Sequence, residues 1–85
     1  MNTTSPRIDL WADLNAEDDE GRNRSVVDRA REPAALVPGV VLTAGVEGFW
    51  SVVRIDAVDD DGQVHFVQID HDDPAARAAL NAAAH

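Results

Sequence analysis

Between residues 38 and 69 the chain alternates apolar, β-branched runs with glycine-bearing turns, and this punctuation narrows its fold more than any other feature. Pro38-Gly39 marks a turn, and Val40, Val41, Leu42, Thr43 and Ala44 then read as a strand. Gly45, Glu47 and Gly48 surround a second turn. Residues 49–58 form a long strand candidate, with Phe49, Val53 and Ile55 predicted on one face and Trp50, Val52 and Val58 on the other. Asp59-Asp60-Asp61-Gly62 follows, and Asp-Gly supplies the positive φ angles that a tight hairpin requires. Residues 63–69 complete a three-stranded meander.

Upstream, Ile8, Leu10, Ala12 and Leu14 alternate with Asp9, Trp11 and Asp13, the period of a half-buried strand. Residues 15–23, rich in acid and ending near Gly21, read as an exposed loop. Residues 25–32 fit either of two elements. Ser25 and Asp28 have capping-box spacing for a short helix, and Val26 and Val27 equally suit a brief strand. Pro33 ends either one, and residues 34–37 suffice for a single helical turn. Downstream, Asp73 and Pro74 have the chemistry of a helix N-cap and first position, and the alanines of 75–84 favour a helix. Leu80 is the one large apolar residue of that helix, which predicts weak docking.

The chain is therefore expected to be mainly β, a small antiparallel barrel or half-barrel with a short C-terminal helix. Residues 1–7 form a flexible N-terminus, 8–70 the β domain and 71–85 the helix or tail. A chain of 85 residues buries about 60% of its unfolded surface, so one modest core is all it supports. The absence of cysteine leaves that core without disulfide or thiolate-metal support.

Two resemblances bear on the fold. The run Val37-Pro38-Gly39-Val40-Val41 before a turn and a long strand is similar to the opening of small Src-homology-3-like β-barrels. The phrases Asp13-Leu14-Asn15-Ala16-Glu17-Asp18, Asp28-Arg29-Ala30-Arg31-Glu32-Pro33 and Pro38-Gly39-Val40 together span residues 8–69. They resemble a group of short, uncharacterised bacterial proteins with a Leu-Asn-x-Glu-Asp, Asp-x-Ala-Arg-x-Pro and Pro-Gly-Val pattern. That group carries a large apolar or aromatic residue near position 24, where this chain has Arg24. The resemblance implies a shared fold and carries no activity with it.

Sixteen acidic residues against seven basic ones, all arginine, give a net charge of -9. Phosphate backbones are bound by neutralising them with cations, so this balance disfavours direct nucleic-acid binding. It equally disfavours anionic membranes and favours solubility and a basic protein partner. Residues 1–9 are polar and lack the apolar core of a secretory signal, and the central apolar run is far shorter than a membrane span, so a cytoplasmic location is expected.

The acidic clusters invite a metal reading and do not sustain it. With Gly62 at the sixth position of a calcium loop, the first and twelfth positions fall on Ala57 and Gln68, neither a carboxylate. With Gly21 there, they fall on Ala16 and Val27. His65 and His71, near Asp70, Asp72 and Asp73, match no zinc spacing, and His85 is terminal. Ser5, Ser25 and Ser51 lack a nucleophile-elbow context, and the scattered glycines with no lysine cannot form a phosphate loop. No catalytic, cofactor or metal residue is assigned, and a non-enzymatic chain is expected.

What remains are Trp11 and Trp50, with Arg22 and Arg24 from the basic cluster that also holds Arg29 and Arg31. Tryptophan and arginine dominate interface hot spots, so these four are the candidate partner-binding residues. The plainer expectation is that at least one tryptophan packs in the core and that the arginines pair with the chain's own carboxylates. The leading functional expectation is a protein-interaction module anchored by Trp50. The alternative is an acidic nucleic-acid mimic that occupies a basic nucleic-acid-binding protein.

Overall fold

The computed structural model describes residues 7–17 and 21–83. Among these, β1 (Leu10–Trp11), β2 (Asn23–Val26), β3 (Val41–Val46), β4 (Phe49–Val58) and β5 (Gln63–Gln68) form one sheet in the order β1-β3-β4-β5-β2. Helix α1 (Pro74–Ala83) follows, so the fold is a mainly β half-barrel with one short C-terminal helix. Six of the seven residues expected to form a flexible N-terminus lie outside the described residues, as do 18–20 of the acidic loop and 84–85 of the tail.

The meander has the expected antiparallel pairing, with Leu42 opposite Val53 and Ile55 opposite Phe66. β2 adds antiparallel to β5. The β1–β3 pair is parallel, Leu10 facing Ala44, and this makes the sheet mixed. A hairpin joins antiparallel strands, whereas the chain from β1 reaches β3 only after crossing to the opposite edge as β2.

The alternation at 8–14 persists as burial more than as pairing. Ile8, Leu10, Ala12 and Leu14 are buried and Trp11 and Asp13 are exposed, although pairing is confined to the two residues of β1. The segment 25–32 combines an extended start with a tight turn: Ser25 and Val26 end β2, and a 3-10 turn covers Val27–Arg29. The Ser25 hydroxyl donates to the Trp11 carbonyl at 2.7 Å instead of capping a helix. A second 3-10 turn, Pro33–Ala35, overlaps the single helical turn expected over 34–37 and begins one residue earlier, at Pro33 itself.

Leu10, Leu14, Leu36, Leu42, Val53, Ile55, Val64 and Phe66 form the principal core. Val58 also packs against it, contrary to its expected place on the Trp50 face. The cause is a bulge. Ile55 faces Phe66 while Ala57 faces His65, so Asp56 is the extra residue and every side chain beyond it changes face.

On the far side of the sheet α1 packs against β3 and β4. Its first turn is capped as expected, the Ala75 N–H donating to the Asp73 side chain at 2.9 Å. Leu80 is only half-buried, and the helix seats instead through the fully buried Ala76. A small side chain there brings the helix backbone close to the sheet. No helix among the described residues is long and apolar enough to cross a membrane.

Candidate functional site

The two edges of the sheet, β1 and β2, approach each other without forming a continuous ladder. A single bridge between Leu10 and Ala30, the Arg31 N–H donating to the Asp9 carbonyl at 2.8 Å, and the Ser25 hydroxyl bond to Trp11 hold this seam. Beside it lies a groove of about 680 Å³, open to solvent and bounded at one end by the β3–β4 hairpin. Trp11, Val26, Val46 and Phe49 line it. They are 41%, 40%, 44% and 51% exposed, and among the described residues they are four of the five large apolar side chains left in water. The fifth, Val37, lies elsewhere.

Each of these side chains has a local reason to be there. Strand alternation sends Leu10 into the core and Trp11 out of it. Val46 and Phe49 face each other across the last pair of the hairpin, which Gly48 closes with φ 86°. Val26 ends β2, where the Val27 N–H bonds to the Gly62 carbonyl at 2.9 Å. The neighbouring loop is fixed by Asn23, buried, whose side-chain amide donates to the carbonyls of Leu14 and Ala16 at 2.9 Å each. Its oxygen accepts from Gln68 at 3.1 Å. Among the described residues no buried side-chain polar atom lacks a partner, so this shell is a finished structure.

The charged lining is of mixed sign. Arg24 and Arg29 border the groove, both exposed, and neither has an ion-pair partner among the described residues. Asp13 also borders it, with one carboxylate oxygen accepting from the Asn15 N–H at 2.9 Å. The expectation that the arginine cluster pairs internally therefore holds for Arg22, bound to Asp56 at 2.6 Å, and among the described residues fails for Arg24, Arg29 and Arg31. Strand β2 carries Arg24 to the seam, where the described carboxylates do not reach it.

The four candidate residues thus separate. Trp11 and Arg24 meet in the groove, and Arg22 and Trp50 do not line it. Trp50 is half-buried and stacks on His71, with ring centroids 5.5 Å apart and planes 8° from parallel. Neither tryptophan is a core residue; the interior is filled by Phe66 together with leucine, isoleucine, valine and alanine side chains from the meander and from residues 10–36. Phe49, Val46 and Val26 were not singled out by sequence reasoning. Their only signal was position, beside the turn of the hairpin and at the end of a strand.

The histidines do not converge. His65 pairs with Asp59 at 2.8 Å beside the β4–β5 turn, while His71 sits over Trp50. No cluster of three His, Asp or Glu side chains that would hold a metal occurs among the described residues. Ser51 Oγ lies 3.5 Å from His71 Nε2, longer than the roughly 2.6–3.2 Å expected of a nucleophile and its base. Neither the groove nor the smaller cavity beneath α1, about 260 Å³, is lined by that pair. No protein-family model, curated protein or solved structure matches the chain.

Proposed function

We propose that this chain is a cytoplasmic, non-enzymatic protein-interaction module, and that it docks through the seam groove with Trp11 and Phe49 as anchors. The observation that carries this reading is the gathering of Trp11, Val26, Val46 and Phe49 in one concavity while the other large aliphatic side chains are mostly buried. Contiguous exposed apolar surface on a small soluble chain marks a contact site, whereas scattered exposed residues need no explanation. An open groove also suits a protein segment better than a small molecule, whose pockets enclose about 70–90% of the ligand.

Trp50 gives way to Trp11 as the anchor in this reading, because the His71 ring already covers one face of Trp50. The test is affinity capture from the source cells with three baits, wild type, Phe49→Thr and Trp50→Ala, at low and high salt. A stoichiometric partner that survives salt, is lost with Phe49→Thr and is kept by Trp50→Ala is the expected result. Capture that ignores Phe49 and collapses as salt rises would replace this reading with the acidic-mimic alternative.

A further inference from the structure

We propose that the groove takes a short acidic–apolar segment of its partner, in which a large apolar side chain sits among Trp11, Val46 and Phe49 and a carboxylate pairs with Arg24 and Arg29. This inference rests on the groove being a docking site and adds the chemistry of the occupant. Charge complementarity is what selects that chemistry. The chain as a whole carries -9, yet among the described residues the groove is bordered by two arginines and one aspartate. Both arginines lack an ion-pair partner among the described residues, in a chain with carboxylates to spare. Asp13 is turned partly into its own loop by the bond from the Asn15 N–H. Among the described residues the groove is therefore a locally cationic apolar site in an anionic chain.

Arginine beside an aromatic surface is suited to holding a carboxylate, because its planar fork donates two parallel hydrogen bonds and its stem covers apolar area. A basic segment would place like charges beside Arg24 and Arg29. A purely apolar one would leave both guanidinium groups desolvated and unanswered. Long-range repulsion from the remaining carboxylates opposes an acidic segment, but it is screened beyond about 8 Å at physiological ionic strength, and contacts inside the groove are not.

The experiment selects a displayed random-peptide library against the wild-type chain and, in parallel, against Phe49→Thr and the double variant Arg24→Gln/Arg29→Gln. Thermal melts confirm that each variant is folded. The expected outcome is enrichment of segments pairing a large apolar residue with Asp or Glu. Affinity of the resulting synthetic peptide should fall at least about tenfold in the double arginine variant, and by a similar factor when its carboxylate becomes an amide. The two changes together should cost little more than either alone. Enrichment that depends on Phe49 but shows no acidic bias, or that persists without the arginines, overturns this inference and leaves the docking groove standing. Enrichment indifferent to Phe49 overturns both.

Discussion

Trp11 and Trp50 both stand opposite Gly45, the first across the parallel β1–β3 pair and the second across the β3–β4 hairpin. Trp50 is half-buried with the His71 ring laid on it, just where the chain leaves β5 to enter α1. Trp11 is exposed at the seam, where the Ser25 hydroxyl on its carbonyl ties it to the opposite edge. Two residues of one type, paired with one glycine, are thus divided by what the later chain lays over them. A side chain's own neighbours in sequence carry little of that information, and of the two tryptophans only Trp11 is left to line the groove.

Changing the residue they share tests this most severely. Gly45 has φ 131°, and a methyl group there would lie 2.7 Å from the Trp50 Cα and against the Phe49 carbonyl oxygen. Gly45→Ala is expected to cost about 3 kcal/mol, from backbone strain together with overpacking. Urea unfolding followed by tryptophan fluorescence measures it, and both sides of the comparison should fail in one transition. A loss below about 1 kcal/mol would mean that β3 and β4 have room to separate and that the two tryptophans are not linked through Gly45.

A smaller effect is expected from the loop behind the groove. Asn23→Ala removes the donor for the Leu14 and Ala16 carbonyls and the acceptor for Gln68. The expected cost is about 2 kcal/mol, most of it from buried groups left without partners. The Trp11 side should respond more than the Trp50 side, and hydrogen exchange would show faster amides across 12–16 with those of α1 unchanged. Equal acceleration in both places would erase the distinction between the two regions.

The stack itself ranks third. In a double-mutant cycle of Trp50→Ala and His71→Ala, the coupling energy is expected near 1 kcal/mol, the usual worth of an aromatic pair beyond its buried area. A coupling of zero would leave Trp50 as exposed in solution as Trp11, and Trp50 would return as an anchor.

Much of the fold was legible because its determinants are local. The bounds of β4 follow from turn chemistry on either side, Glu47-Gly48 before and Asp61-Gly62 after, with Gly48 and Gly62 at positive φ. The helix start at Pro74 follows from a cap that Asp73 provides. The alternation at 8–14 matches the burial of Ile8, Leu10, Ala12 and Leu14, whereas the expectation that at least one tryptophan packs in the core fails. What escaped were long-range facts. The parallel β1–β3 pairing joins residues more than thirty apart, and the Asp56 bulge that turns Val58 inward reflects a register set by β5. The groove is of this second kind. Its lining comes from β1, β2 and the β3–β4 hairpin, and only closure of the half-barrel brings them together.

The smallest expected effect on folding belongs to Phe49, and it isolates the exposed side of the comparison. Half of its surface is already in water, and it starts β4 beside the turn that closes the hairpin. Threonine, β-branched, favours a strand as phenylalanine does while removing the ring, so Phe49→Thr should change unfolding free energy by less than about 1 kcal/mol. If the ring serves a partner and not the core, affinity for that partner should nevertheless fall at least about tenfold, as for a hot-spot aromatic. Chemical denaturation and a binding titration on the same preparation give both numbers. A large stability loss with unchanged binding would make Phe49 part of the core. The groove would then be a packing defect at the edge of the half-barrel, and the contrast between Trp11 and Trp50 would no longer mark a functional surface.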